Sequence, residues 1–296
     1  IYMSDAGKKS IIEKAYAKIN LFLEITGKRP DGYHTIDSVM HRISLHDTVE
    51  IDCDLSMPDS ISVVCDIPEL NEIGHGNLAY RAAEKFVCMY RQLKKTACGS
   101  ISIRINKNIP LAAGLAGGSA DAAAVLRGLN SLFKNPFSDK ILKEIAASLG
   151  ADIPFCLSHS PMHCRGIGEE LNPCHSLPDC TVLLVVGKWE KKSTEVMYKD
   201  LDTVKSAFQA ENRMLTALES KNVSEICGAL YYTFELVNPH AELVRSKLIK
   251  LGASGALLSG SGPSVFGIYS SEKDAVNAAR CICDDGFCVF CCTPVD

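Results

Sequence analysis

The residues best suited to chemistry lie between Lys107 and Gly128, where the chain reads KNIPLAAGLAGGSADAAAVLRG. Gly114, Gly117 and Gly118 follow a predicted strand and precede a predicted helix. Glycines at such a junction let backbone N–H groups approach an anion, and the N-terminus of the helix behind them favours negative charge. Ser119 adds a hydroxyl that can reach phosphate or Mg²⁺. The segment therefore predicts a phosphate-binding loop.

This loop differs from two common nucleotide-binding motifs. Each Gly-Lys pair in the chain is followed by Lys, Arg or Trp, so no Walker A motif is present. The loop is also not G-x-G-x-x-G, which counts against a Rossmann dinucleotide site. The alternative is a helix N-terminus that is packed tightly and binds no ligand. Pro110, the three glycines, Ser119 and the Ala-rich helix together favour phosphate binding.

A lysine and an aspartate elsewhere in the chain suit phosphoryl transfer. Residues 12–25 alternate with period two, which predicts a strand with Lys18 and Asn20 on one face. Asp152 follows a predicted helix and precedes Pro154. The alternative interpretation is that Asp152 is an ordinary exposed aspartate in a turn. Beside bound phosphate, an aspartate can accept a hydroxyl proton and a lysine can offset developing charge.

Two other segments each leave two readings open. Tyr33 and His34 follow the Asp31-Gly32 turn, where a ring and an imidazole can hold a base or simply form a capped loop. The Gly-rich segment 258–264 joins two apolar runs. It can line a ligand or make a tight connection between strands.

The elements that must position these residues mix strands and helices in both halves of the chain. Strands are predicted at 12–25, 47–53, 60–66, 101–106, 181–187, 255–260, 264–269 and 287–292. Helices are predicted after an N-cap at Asn77, and at about 120–130, 138–149, 195–201, 209–219, 223–234, 239–250 and 272–283. This order predicts an α+β protein with an N-terminal domain over 1–165 and a C-terminal domain over 166–296.

Composition narrows the class of protein. The 296 residues are 47% hydrophobic and 22% charged, which is typical of a globular protein and excludes disordered and collagen-like classes. A net charge of −4 gives no global field for DNA or RNA, and no apolar stretch is long enough to span a membrane. The first ten residues contain no apolar signal core, so we expect a cytoplasmic protein.

The fourteen cysteines predict reduced thiols rather than a disulfide framework, because their spacing is irregular. The cluster at Cys281, Cys283, Cys288, Cys291 and Cys292 has spacings that zinc sites use. A zinc knuckle usually turns between its two cysteines, but the Val-Phe pair between Cys288 and Cys291 does not favour a turn. We therefore expect buried thiols that act as small hydrophobic side chains, and no fixed metal site.

His159 and His163 flank a Ser-Pro pair, and we interpret both as surface histidines in a loop.

Four ordered segments resemble the GHMP kinase family. They are the Lys18 strand, PLAAGLAGGSADAA, GADIPF and LLSGSGPSVFG, and the resemblance covers about residues 12–293. It implies the two-domain GHMP kinase fold, with an N-terminal domain like domain 2 of ribosomal protein S5 and a ferredoxin-like C-terminal domain. It also implies an active site between the two domains.

The stretch AKINLFLEITGKRPDGYHTIDSVMHRISLHDTVEI narrows the implied activity within that family. It implies ATP-dependent phosphorylation, with Mg²⁺, of a hydroxyl on a methylerythritol that carries a cytidine diphosphate group. That reaction belongs to the non-mevalonate route to isoprenoid precursors, and the enzyme is expected to be a monomer or homodimer. The alternatives are another GHMP small-molecule kinase, such as homoserine or mevalonate kinase, and a non-catalytic nucleotide-binding protein on the same fold. An RNA-binding S5-like module is disfavoured by the acidic net charge.

The resemblance also implies roles for individual residues. The general base falls on Asp152 and the catalytic lysine on Lys18. Asn77 and Lys107 match positions near the adenosine. The nucleotide loop comprises Pro110, Leu111, Ala112, Ala113, Gly114, Leu115, Ala116, Gly117, Gly118, Ser119 and Ala120. Substrate contacts are expected from Asn20, Tyr33, His34, Thr194 and Tyr198, with the two tyrosines stacking on the cytosine. Many members of the family carry glycine where Ala116 stands.

Overall fold

A computed structural model describes residues 2–4, 7–190, 192–204 and 212–296. The strands are β1 (Tyr2–Ser4), β2 (Lys8–Lys28), β3 (His34–Asp54), β4 (Ser60–Cys65), β5 (Ser100–Asn106), β6 (Met162–Arg165), β7 (Glu170–Pro173), β8 (Thr181–Val186), β9 (Tyr231–Tyr232), β10 (Gly255–Leu258), β11 (Ser264–Tyr269), β12 (Cys288–Cys292) and β13 (Pro294–Val295). The helices are α1 (Pro68–Asn71), α2 (Leu78–Lys94), α3 (Gly117–Leu132), α4 (Asp139–Ala147), α5 (Ile153–Leu157), α6 (Thr194–Thr203), α7 (Met214–Ser220), α8 (Val223–Gly228), α9 (Pro239–Lys250) and α10 (Glu272–Asp284). The predicted α+β class is confirmed.

The chain divides into two compact units that interleave along the sequence. Unit 1 contains the described residues of 1–17, 46–109 and 117–158, and unit 2 contains those of 18–45, 110–116 and 159–296. The long strands β2 and β3 contribute residues to both units. The predicted domain division at residue 165 stays a prediction.

Unit 1 combines a sheet with a helical layer. In its sheet, β5 pairs antiparallel with the second half of β3 and parallel with β4. Alternate β5 residues Ile101, Ile103 and Ile105 are buried, as expected for a strand with one face on the core. Helix α3 is buried from Ala120 to Leu126, since its small side chains let neighbouring elements approach closely.

Two helix starts in unit 1 follow the sequence signals. The Asn77 side chain accepts a hydrogen bond from the Ala79 backbone N–H at 2.9 Å, which confirms the predicted cap of α2. Helix α4 begins directly after Ser138, as predicted, although the Ser138 side chain makes no capping hydrogen bond.

Unit 2 contains a four-stranded antiparallel sheet in the order β10-β11-β8-β12. Helices α9 and α10 pack on its strands, and β8 and β11 are almost wholly apolar and buried because they lie in the middle of the sheet. The remaining parts of β2 and β3 pair with β9 and with β6 and β13 respectively. Arg29 N–H donates to the Tyr33 carbonyl at 2.7 Å across the predicted Asp31-Gly32 turn.

The structure differs from several predictions about elements and side chains. The helix predicted over 223–234 ends at Gly228, and Tyr231–Tyr232 instead form β9 beside Phe22 and Leu23. The strand predicted at 47–53 is confirmed, but it is the end of the longer strand β3, which begins at His34. His163 is not a surface residue: it is buried in β6, and its Nε2 lies 2.7 Å from Asp37 Oδ1. Residues 209–211 of another predicted helix lie outside the described residues, and α7 begins at Met214.

The cysteine cluster is a further correction. Cys281, Cys283, Cys288 and Cys291 are exposed rather than buried, and only Cys292 of the group is buried. The reason is that β12 is an edge strand of its sheet and α10 turns its C-terminal cysteines outward. Among the described residues, no helix is both long and apolar enough to span a membrane.

Candidate functional site

The Gly-rich loop has a distinctive backbone conformation. Ala112, Gly114 and Ala116 have left-handed φ angles of 52°, 78° and 58°, and the two residues between them do not. Left-handed residues that alternate with residues of ordinary φ can turn neighbouring N–H groups toward one side, as in an anion-binding nest. Helix α3 begins at Gly117, directly after this alternation. The backbone from 112 to 117 is therefore compatible with the predicted phosphate-binding loop, whose role stays a prediction.

A second Gly-rich segment, which belongs to unit 2 like residues 110–116 of the loop, packs against the loop. A Cβ placed on Gly114 would lie 2.3 Å from the Ser259 carbonyl oxygen, and one placed on Gly260 would lie 2.5 Å from the Gly114 carbonyl oxygen. The Ser259 hydroxyl donates to that same Gly114 carbonyl at 3.2 Å. Residues 259–263 connect β10 to β11, so the segment is the tight strand connection that the sequence allowed, and it supports the loop.

Lys18 is attached to the same loop through its backbone. Its N–H donates to the Leu115 carbonyl at 3.1 Å. Its side chain is buried and donates to Asn20 Oδ1 at 2.6 Å, while the Asn20 amide donates to the Ser38 hydroxyl at 3.1 Å. The same-face prediction for Lys18 and Asn20 is thus confirmed.

The charge of Lys18 is not neutralised by its partner. Among the described residues no carboxylate forms an ion pair with Lys18, and its hydrogen-bond acceptor is a neutral amide. A buried cation is costly unless it is paired. Lys18 is therefore ready to receive an anion.

Asp152 stands at the start of α5 in unit 1. Its side chain is half-buried and makes no capping hydrogen bond, whereas all five residues of α5 are buried. No described residue donates a hydrogen bond to its carboxylate. Asp152 is thus held on a buried helix with its carboxylate free to accept a proton.

Lys107 is fixed by two aspartates that the sequence reasoning missed. Its ammonium, whose side chain is 2% exposed, contacts Asp47 and lies 2.7 Å from Asp121 Oδ2. Asp47 Oδ1 also accepts the backbone N–H groups of Asn108 and Ile109, at 2.6 and 2.8 Å. Asp47 and Lys107 therefore set the path of the chain that leads into the loop.

Asp121 is the member of this cluster whose carboxylate is only partly hydrogen-bonded. It lies on α3, its Oδ1 is buried without a hydrogen bond, and burial raises its pKa to about 7 despite the nearby Lys107. Burial alone would lower the pKa of Lys107, but the two aspartates more than offset it. A charged residue among buried alanines was the sequence signal that could have revealed the cluster, since buried charges need partners.

The glycines at the start of α3 have different neighbours. A Cβ on Gly117 would meet Ile109 Cγ2 at 3.1 Å and Lys107 Nζ at 3.3 Å, so this glycine also makes room for the protein's own side chains. A Cβ on Gly118 would meet Leu78 at an ordinary 3.7 Å. The Ser119 hydroxyl has no hydrogen-bond partner among the described residues. Its role, like those of Asn77 and Lys107 toward adenosine, stays a prediction.

The predicted substrate residues of unit 2 are only partly brought together. The His34 and Tyr198 rings stack, with centroids 4.6 Å apart and planes 13° apart. Tyr33 is 61% exposed at the tip of the β2–β3 turn, and Thr194 is exposed at the first position of α6. His34 therefore covers one face of Tyr198, while the Tyr33 ring is open to solvent.

Two family models match the chain. The model described as GHMP kinases N terminal domain matches residues 77–160, and that described as GHMP kinases C terminal matches residues 214–287. The first contains the Gly-rich loop and Asp152, and the second contains the segment that supports the loop.

Curated relatives cover nearly the whole chain. It is 40% identical over 272 residues to the 4-diphosphocytidyl-2-C-methyl-D-erythritol kinase of Acetivibrio thermocellus, covering 90% of this chain and 93% of that protein. It is 38% identical over 300 residues to the enzyme of the same name from Bacillus pumilus, covering 94% and 96%.

Solved structures show the same fold. A crystal structure of 4-(cytidine 5'-diphospho)-2C-methyl-D-erythritol kinase aligns with a TM-score of 0.77 and 29% identity, covering 97% of this chain and all of the other. A mevalonate kinase aligns with a TM-score of 0.75 but only 15% identity, covering 97% and 99%, so that likeness concerns the fold alone. The GHMP kinase fold that the resemblance implied is confirmed.

Proposed function

Because this chain belongs to the GHMP kinase family, we propose that it transfers the γ-phosphoryl group of ATP to a hydroxyl of 4-diphosphocytidyl-2-C-methyl-D-erythritol. The reaction is a step in the non-mevalonate synthesis of isoprenoid precursors. The observation that carries this proposal is the loop at 112–117, whose alternating left-handed residues lead into the N-terminus of α3. The 40% identity to an enzyme of this name supports the choice of substrate.

The loop and α3 bind the phosphates of ATP in this proposal. Backbone N–H groups of the nest and the positive end of the helix dipole stabilise the negative charge of the phosphates. They also stabilise the charge that develops on the transferred group, at no cost of reorganisation, because Ser259 and Lys18 already hold the loop in place.

Asp152 is the general base and Lys18 the catalytic cation. The Asp152 carboxylate, to which no described residue donates a hydrogen bond, accepts the proton of the substrate hydroxyl as the hydroxyl oxygen attacks phosphorus. The Lys18 ammonium stabilises the charge on the transferred phosphoryl group. Transfer is direct and in line, so the phosphoryl group is never attached to the enzyme.

Mg²⁺ is expected to enter with ATP. Mg²⁺ is usually held by one or two protein groups together with substrate phosphates rather than by an all-protein cage. The Ser119 hydroxyl in the first turn of α3, which has no partner among the described residues, would be a ligand of the ion, and the ion would offset phosphate charge there.

The substrate residues complete the proposal. Tyr33, His34 and Tyr198 recognise the cytidine end of the substrate, with Thr194 beside them, and Asn20 contacts the methylerythritol while it orients Lys18. Asn77 and Lys107 lie toward the adenosine. The cytoplasmic location and the monomeric or homodimeric state stay predictions.

A kinase assay on the purified full chain tests the proposal. We expect ATP-dependent phosphorylation of the cytidylylated methylerythritol, and far lower rates with mevalonate or homoserine. Preferred turnover of mevalonate or homoserine would show another GHMP kinase. ATP binding by calorimetry with no turnover of any of the three alcohols would instead show a nucleotide-binding protein without catalysis.

A further inference from the structure

A four-residue cluster joins α6 to the β2–β3 turn in unit 2. His34 Nε2 lies 2.8 Å from Asp202 Oδ1, and Lys28 Nζ lies 2.5 Å from Asp202 Oδ2. The face of the same imidazole stacks against the Tyr198 ring. Asp202, one helical turn beyond Tyr198 on α6, therefore holds the imidazole by its edge while Tyr198 holds it by its face.

The chemistry of Asp202 decides which imidazole nitrogen carries the proton. An ionised carboxylate only accepts hydrogen bonds, so the nitrogen facing it must donate. Hydrogen bonds from Lys28 and His34 lower the pKa of Asp202. The carboxylate is ionised at neutral pH even at its ordinary pKa of 3.8, so its charge does not depend on Lys28. A neutral His34 is therefore protonated on Nε2 and has a lone pair on Nδ1. No described residue forms a hydrogen bond with that Nδ1, although the side chain is only 9% exposed. We take this nitrogen as the acceptor that His34 offers to a ligand.

A bare Nδ1 discriminates between pyrimidines. Cytosine carries an exocyclic amino group, which donates, whereas uracil carries a carbonyl oxygen at the same position, which accepts. With uracil, the Nδ1 lone pair and the carbonyl oxygen are both acceptors, so neither has a hydrogen-bond partner. A site built to form a hydrogen bond strongly disfavours a ligand that leaves its polar group unpaired.

We propose that Asp202 is a positioning residue that fixes the Nε2-protonated form of His34, and thereby makes the site select a cytidine over a uridine nucleotide. This inference rests on the proposed function only for the presence of a pyrimidine nucleotide in the substrate. Lys28 has a different part, since it contacts Asp202 but not the imidazole. It helps to fix α6 against the turn and contributes nothing to the choice of base.

Binding of CDP and UDP to the full chain tests the inference without using turnover. At about pH 8 we expect CDP to bind roughly tenfold more tightly than UDP. In Asp202→Asn the amide can donate or accept, so His34 can adopt either tautomer and the ratio of the two dissociation constants should approach one. Lys28→Met is the control: it removes the ion pair, keeps the contact with His34 and should leave the ratio unchanged.

A spectroscopic arm separates this role from a merely structural one. With ¹⁵N-labelled histidine, and with His34→Gln to assign the signals, wild type and Lys28→Met should show the Nε2-protonated form of His34. Asp202→Asn should show a mixture of tautomers.

The inference is overturned by equal affinity for CDP and UDP in wild type, by an unchanged ratio in Asp202→Asn, or by an equal loss of selectivity in Lys28→Met. Selective CDP binding without any kinase activity would leave the inference standing and remove the proposed function.

Discussion

Gly114 and Ser259 approach each other so closely that a single added methyl group on Gly114 would lie 2.3 Å from the Ser259 carbonyl oxygen. The two residues are 145 positions apart, yet the Ser259 hydroxyl also donates to the Gly114 carbonyl. The loop is thus in contact with the backbone of Ser259, and backbone atoms can move aside less easily than a flexible side chain. Its conformation therefore depends on glycine at 114 for two reasons, the close approach and the left-handed φ of 78°.

The first prediction concerns Gly114→Ala. The added Cβ must displace backbone and adopt an unfavourable φ, so we expect the free energy of unfolding to fall by about 2–5 kcal/mol. ATP affinity should fall as well, because the loop must move. Urea unfolding and calorimetry measure the two effects.

Gly118→Ala is the matched control for Gly114→Ala. Its Cβ meets only Leu78 at 3.7 Å, and the residue lies in the first turn of α3. Stability should be unchanged or higher by up to about 1 kcal/mol. Equal stability of the two variants would mean that the contact with Ser259 does not constrain the loop.

The second prediction concerns Ala116→Gly. Ala116 has a φ of 58°, and a left-handed alanine costs about 1–2 kcal/mol. Glycine removes that strain but adds freedom to the unfolded chain, so we expect a net gain of about 0.5–1 kcal/mol in the free energy of unfolding. The control is Ala113→Gly, which removes a buried methyl at ordinary φ and should lower stability. A loss of stability in both variants would contradict the strain at Ala116.

The sequence predicted local features of the site better than its long-range partners. Alternation of residue types placed Lys18 and Asn20 on one face, because strand periodicity depends on neighbouring residues alone. It could not place Asp47 beside Lys107, 60 residues away, or Asp202 beside His34, 168 residues away. Such contacts depend on how strands and helices meet, which no local pattern encodes. The outward-facing cysteines of β12 were missed for the same reason, since strand order decides which strand forms an edge.

The third prediction is a pH dependence of stability that comes from Asp121. Burial raises its pKa from an ordinary 3.8 to about 7, so between these values the folded protein holds a proton that the unfolded chain has released. Its contribution to stability is therefore largest below the lower value and is lost as the pH rises through about 7.

Asp121→Asn isolates this effect, because asparagine has the same size and does not titrate. The free energy of unfolding of wild type minus that of Asp121→Asn should be larger at about pH 5 than at about pH 8. Urea titrations of both proteins at each pH give the difference. A difference that is constant, or that grows with pH, would show that the Asp121 pKa is not raised.

The fourth prediction concerns Asp152→Asn. The amide keeps the size of the side chain but cannot accept the hydroxyl proton, so kcat should fall by roughly 10² to 10⁴. The KM for ATP should change little, since the loop rather than Asp152 binds the nucleotide. Asp139→Asn, at the exposed first position of α4, is the control and should leave kcat unchanged. Near-wild-type kcat in Asp152→Asn would remove this residue from the mechanism.

The last prediction concerns Tyr33, the exposed ring at the tip of the β2–β3 turn. Stacking of a base on an aromatic ring is worth about 1–3 kcal/mol, so Tyr33→Ala should raise the KM of the cytidylylated substrate roughly ten- to a hundredfold. The effect on kcat should be smaller and the KM for ATP nearly unchanged, because the ring interacts with the base and not with the transferred phosphoryl group. Stability should barely change, since the ring is 61% exposed. Tyr33→Phe keeps the stacking surface and should behave like wild type in paired titrations of both substrates. A rise in the KM for ATP alone would mean that Tyr33 belongs to the nucleotide-donor pocket instead.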